Sequence, residues 1–298
     1  AGGRSPALAK YCVIPDVRVS LHDVNPVEPT FTAVRWYLDR IQAELAAGNG
    51  DEAMKYLGVL CHWNEDPGSL SAHSSPVSEQ LLRELIPPRD DQQNKNYLFG
   101  AGSIGNERNV GLDGLSYQPR LLGKDIAEAA VQITHHQELV RRHSAGLIVS
   151  ALLGHVENDE DRLNRAIASA LSCTARHIAD VIYTVAWLTA NGEKDADAKG
   201  PGDQRLTEWL SPTHGSMIPH PYYVRPYIIN QSMDASRKLH PLALFDSNRQ
   251  AQPVAFGMGM GAPYTLPFTF ANGGVYDRMT VRVGLHPTAG AEGKVGFV

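Results

Sequence analysis

The sequence predicts a mainly α chain: a multi-helix domain followed by a C-terminal β-sandwich segment that is incomplete. Three observations carry this reading. Through residues 1–190 the apolar positions recur every three to four residues. After Asn191-Gly192 the pattern changes to short alternating runs between Gly- and Pro-containing turns. No apolar run approaches the ~18 residues that a membrane-spanning helix needs. The chain thus reads as a helical domain over 1–190, a linker or extended crossing segment over 191–241, and a partial β-sandwich over 242–298.

A helical span is expected over 31–63, where Phe31, Val34, Leu38, Ile41 and Leu45 share one face. Gly48-Asn49-Gly50 interrupts it, and Asp51 is placed to cap a second helix with Ala53, Met54, Leu57, Leu60 and Cys61 on its apolar side. Pro67-Gly68 ends that helix. Residues 87–119 read as a long loop. Two long helices follow over 124–153 and 159–189. Ala129, Ile133, Val140 and Leu147 line the first, with His136 and His143 on the same stripe. Leu163, Ile167, Ala170, Thr174, Val181 and Leu188 line the second, with His177 among them. Residues 192–203 are charged and small, as a solvated connector would be. Pro219, Pro221, Pro226 and Pro241, interleaved with Tyr222, Tyr223 and Tyr227, predict an extended crossing stretch. Strands are expected over 252–256, 264–270, 277–284 and 293–298, and no internal repeat is visible.

The 298 residues carry 27 Lys+Arg against 32 Asp+Glu, and the net charge of −5 argues against a broad basic surface for duplex nucleic acid. Three Cys make no disulfide framework and no CxxC pair, and neither CxxCH nor paired ExxH motifs occur to suggest haem or di-iron. The 12 His are the excess. His62 and Asp66 are four apart, so on a helix they project from one face, with Gly58 one turn earlier leaving room beside them. His73 follows the helix-ending Pro67-Gly68, while Asp16 and His22 lie six apart upstream. Imidazoles and carboxylates in this set suffice chemically for zinc. A buried histidine satisfied by Asp16 or Asp66 accounts for the same residues. His177 and Asp180 read as a satisfied core pair.

The order Pro15-Asp16, His22, Tyr56-Leu57-Gly58-x-x-x-His62-x-x-x-Asp66 and Ala72-His73 resembles the zinc-dependent phospholipase C family and its relatives, the single-strand nucleases. The resemblance implies a helical fold and a cluster of two or three zinc ions that hydrolyses phosphodiesters. On it, Asp16, His22, His62 and Asp66 hold one zinc, Asp66 bridges to a second, and His73 begins the ligand set of a further ion. Asp16 and Asp66 are the expected catalytic carboxylates, Asp16 as a base. The family's HxxxE motif has no counterpart between His73 and Tyr117; His136 is the expected substitute, with His143 or His135 plus Glu138 as other options. His155 and Asp159 keep the same spacing at a helix boundary. The family's N-terminal amino ligand and early His also lack counterparts, since the chain opens at Ala1 and has no His before His22. If Asp16 and His62 share an ion, Cys12 and Cys61 come close enough for a disulfide; otherwise they are free thiols.

Gly257-Met258-Gly259-Met260-Gly261-Ala262-Pro263, followed by Tyr276 to Leu285 with alternating Met279, Val281 and Val283, is similar to the first half of an NPCBM-type module, a β-sandwich that binds carbohydrate on extracellular enzymes. Half a sandwich exposes an apolar edge, so a second copy of the chain, another partner, or a cut chain is expected. Both termini read as cuts. Together the resemblances imply a secreted, periplasmic or cell-surface protein whose leader has been removed. Its substrate is a phospholipid headgroup or single-stranded nucleic acid, with a glycan held by the C-terminal segment. The alternative is a helical domain that has lost catalysis and serves carbohydrate or surface binding.

Overall fold

The computed structural model describes residues 10–19, 27–70, 116–191, 227–260, 276–290 and 293–294. They form a helical unit that reaches residue 191 and a β unit that begins at residue 227. Among the described residues no helix is long and apolar enough to cross a membrane.

The helical unit holds α1 (Val27–Ala46), α2 (Gly50–Glu65), α3 (Ile126–Glu157) and α4 (Glu160–Asn191). The chain breaks between α1 and α2 because Gly48 adopts a φ of 78°. Its N–H donates to Leu45 O and that of Asn49 to Glu44 O, the Schellman pattern that closes a helix on a left-handed residue. Asp51 lies in the first turn of α2 rather than at its cap, where its charge suits the helix N-terminus. At the start of α3 the Asp125 carboxylate accepts the Glu128 N–H at 2.8 Å, and Glu128 accepts the Lys124 N–H at 2.7 Å. Asn158, at a φ of 57°, terminates α3, and Asp159 Oδ1 accepts the Arg162 N–H at 2.9 Å to begin α4. Asp159 is therefore a helix cap.

Residues 128–135 of α3 are all buried, so the helix is enclosed on every side there, whereas the sequence predicts a single apolar stripe. Val131 and Ile133 lie in the interior with Val34, Leu38 and Ile41 of α1, Leu60 and Trp63 of α2, and Val181, Val185 and Leu188 of α4. Further along, Ile148, Ala151, Leu163, Ala166, Ile167 and Ala170 form a second cluster with Leu70. The stretch before α1 is fastened by Tyr11. Its hydroxyl donates to Glu52 at 2.7 Å, its carbonyl accepts from Tyr37 at 2.8 Å, and its ring meets Tyr56 edge-on at 4.9 Å.

The β unit is made of short antiparallel pairs: β1 (Tyr227–Ile229) with β6 (Met258–Met260), β2 (Gln231–Met233) with β3 (Leu239–Pro241), and β4 (Ala243–Phe245) with β5 (Ala251–Pro253). Strand structure thus begins well before residue 242, inside the stretch read as an extended crossing segment. Gly259 permits the approach of β2 to β6, because a Cβ there would stand 2.1 Å from Gln231 O and 2.7 Å from Ser232 Cα. The strand expected over 264–270 lies outside the described residues. Residues 277–284 make no ladder among the described residues, and Met279, Val281 and Val283 are exposed there.

Candidate functional site

Two of the expected ligands come together on α2. His62 Nε2 and Asp66 Oδ2 are 3.8 Å apart at its C-terminal end, with the Asp66 side chain 14% exposed and that of His62 49%. Two donors of a tetrahedral zinc, each at ~2.0–2.1 Å, stand roughly 3.3 Å from one another. The pair therefore fits as two ligands of one ion after a shift of a few tenths of an ångström. Among the described residues nothing would lie within 4 Å of a Cβ on Gly58, one turn earlier, so that face is clear of them.

The end of α2 is held rigidly from behind. Asn64 Nδ2 donates to Leu60 O at 2.8 Å, which turns its Oδ1 toward His177 Nε2 at 2.9 Å. Gln137 Nε2 donates to Trp63 O at 3.0 Å, and Ser144 Oγ to Gly68 O at 2.7 Å. Gly68 itself is crowded by α4, since a Cβ would stand 1.9 Å from Thr174 Oγ1. Helices α3 and α4 thereby fix the turn that carries Asp66, whose carbonyl also accepts from the Ser69 N–H and hydroxyl.

Asp16 occupies an exposed turn in the left-handed region, at a φ of 59°, after Pro15. His22 and His73 lie outside the described residues. Among the described residues no three His, Cys, Asp or Glu side chains converge in a group able to hold a metal ion. His136 faces inward, its ring 6.2 Å from that of His177. Burial, helped by the Arg120 charge, pushes its imidazole down to about 4. His177 is driven down to about 3, by burial first and then by His136 and Arg120. Its Nε2–H is spent on Asn64, and the buried Nδ1 has no hydrogen-bond partner among the described residues.

No family model, curated protein or solved structure matches this chain.

The remaining candidates are occupied elsewhere. His143 Nε2 contacts Ser169 Oγ at 3.0 Å. Burial pushes the Glu138 carboxyl up, but the Arg141 and Arg142 guanidiniums that clasp it outweigh this and hold it below the usual range. Cys61 and Cys173 are free thiols, and burial together with the Glu65 charge raises Cys61 to about 11, so it stays protonated at neutral pH.

The sequence reading passed over the buried supports. Asn64 is a polar residue four positions after Leu60 on the apolar face of α2, and that break in the stripe is the signal it offers. Asp180, read as a partner for His177, instead accepts from the Tyr117 hydroxyl at 2.7 Å, the Arg120 N–H at 2.7 Å and the Arg120 guanidinium at 3.2 Å. It fastens the strand-like approach to α3 onto α4.

Proposed function

We propose that the chain is a metal-dependent phosphodiester hydrolase of the phospholipase C or single-strand nuclease type. The observation that carries this reading is the His62–Asp66 pair, 3.8 Å apart one turn after Gly58 and braced by α3 and α4. Asp16, His22, His62 and Asp66 would hold one zinc ion, Asp66 would bridge to a second, and His73 with His136 would serve a further one. The chain length allows Asp16 to join. Tyr11 is anchored at Tyr56, and His62 lies six residues further along α2, about 9 Å. Five residues from Tyr11 to Asp16 span up to about 17 Å. Bound zinc lowers the pKa of a water and stabilises charge developing on phosphoryl oxygens. The Asp66 carboxylate would orient the ions, and Asp16, exposed on its turn, would take the proton as a base.

The test is metal analysis of the purified chain beside hydrolysis of bis-p-nitrophenyl phosphate. Zinc should co-purify in stoichiometric amount, and Asp66→Asn should lose both metal and activity. Protein free of zinc, with diester hydrolysis unchanged in Asp66→Asn, rejects the assignment.

A second reading has an observation of its own. Glu138, offered with His135 as one substitute for the family's HxxxE, is consumed by two arginines. On that reading catalysis has been lost and the β unit binds glycan at a cell surface. Glycan-array binding insensitive to EDTA, from protein without hydrolase activity, would favour it.

A further inference from the structure

Residues 231–242 and 243–254 share a geometry that their sequences barely show. In the first, Gln231, Ser232 and Met233 pair with Pro241, His240 and Leu239. In the second, Ala243, Leu244 and Phe245 pair with Pro253, Gln252 and Ala251. Every paired position recurs twelve residues on, and so does the turn. Asp234 N–H donates to Lys238 O and Arg237 N–H to Asp234 O, at 3.1 and 2.9 Å; Asp246 N–H donates to Gln250 O and Arg249 N–H to Asp246 O, at 2.9 and 3.0 Å. Arg237 and Arg249 are both left-handed, with φ of 66° and 58°. Each aspartate folds over its own loop. Asp234 Oδ1 accepts the Ser236 and Lys238 N–H groups at 2.9 and 3.0 Å, and Asp246 Oδ1 those of Asn248 and Gln250 at 2.9 Å each.

The copies differ in what reaches the second carboxylate oxygen. In the first it is His240 Nε2, at 2.8 Å from Asp234 Oδ2; in the second it is the Gln252 amide, at 3.0 Å from Asp246 Oδ2. An amide donates one neutral hydrogen bond at any pH. An imidazole gains a charge on protonation, and a charge-assisted bond to carboxylate is roughly twice as strong as a neutral one. We infer that the β unit is built on a tandem twelve-residue hairpin, and that His240 makes the first copy proton-responsive while the second is not.

The charged and titratable groups near His240 come from its own hairpin and from the 276–290 segment. Asp234 is its acidic neighbour, and Arg237 and Lys238 supply the cationic groups of the same hairpin. From the 276–290 segment comes His286, its ring 5.9 Å away. His286 Nε2 donates to Pro241 O at 2.9 Å, while its Nδ1 accepts the Thr288 N–H at 3.2 Å. The bonds of His286 thus go to a backbone carbonyl and a backbone N–H, whereas His240 faces a carboxylate. The segment that His286 anchors also lies against β4, where a Cβ on Gly284 would stand 3.2 Å from Leu244 Cδ2.

Amide chemical shifts of the full chain, followed by NMR between pH 8 and pH 5, read this directly. The Ser236 and Lys238 amides should shift, and those of Asn248 and Gln250 should not. His240→Gln installs the residue that the second hairpin already carries, so folding is retained, and it should abolish the response. Gln252→His should confer it on Asn248 and Gln250. Overturning results are flat Ser236 and Lys238 amides in the natural chain, a response that survives His240→Gln, or a Gln252→His hairpin that stays flat.

Discussion

Asn64 and His177 are 113 residues apart along the chain and 2.9 Å apart in space. That bond ties the site-bearing end of α2 to the middle of α4, and it has a pH dependence. An unfolded imidazole titrates near 6.5, whereas burial holds His177 down at about 3. The unfolded chain therefore binds a proton that the folded one refuses. The stabilisation is complete above about pH 6.5 and is lost as pH falls toward the folded value, at up to roughly 1.4 kcal/mol per pH unit for one such site. The urea midpoint of the helical unit should fall from pH 7 to pH 5, and His177→Gln should flatten part of that slope; an unchanged slope would refute the attribution. Gly58 gives a second residue-level expectation. Its Cβ position is open, so Gly58→Ala should stabilise α2 by about 0.5–1 kcal/mol in denaturant titrations. If the ligand set closes over that face, the same variant should bind zinc more weakly. The i,i+4 placement of His62 and Asp66 was readable because a helix makes sequence spacing into geometry. Asn64–His177 was not, because nothing local encodes a contact across two helices.

Helices and strands differ in how far local pattern reaches. The expected spans 124–153 and 159–189 correspond to α3 and α4, because caps and periodicity are local: Asp125 with Glu128, then Asn158 with Asp159. The expected strand over 277–284 makes no ladder among the described residues, since alternation specifies extension but not a partner. The tandem hairpin escaped notice for a related reason. Its copies share little beyond Asp, Arg and Pro at matching positions, and the backbone pattern carries the rest. Arginine is an unfavourable choice at a left-handed turn position where glycine is usual. Arg249→Gly should accordingly raise the stability of the second hairpin by up to about 1 kcal/mol, seen as slower amide exchange at Asp246 and Arg249. Gly259→Ala should do the opposite to β2 and β6, because the added methyl would meet backbone rather than a movable side chain.

At the scale of the molecule, the described chain is mainly helical to residue 191 and carries short strands thereafter, as the change of pattern near Asn191 predicts. Whether Asp16, His22, His73 and His136 meet was not legible, because they come from separate stretches of chain and spacing encodes no contact between such stretches. The α3–α4 hairpin has a further consequence. Its two long helices are joined through Asn158 and Asp159 alone, so contacts near the turn close short loops, which lose little chain entropy. Such a hairpin can form early, whereas α2 must be recruited across more than sixty residues. The bonds from Gln137, Ser144 and His177 to the end of α2 would then be made late. In pulse-labelled hydrogen exchange during refolding, α3 and α4 amides near the turn should be protected before those of residues 60–65. The order of assembly would thus leave the end of α2 that carries His62 and Asp66 unbraced until α3 and α4 are in place.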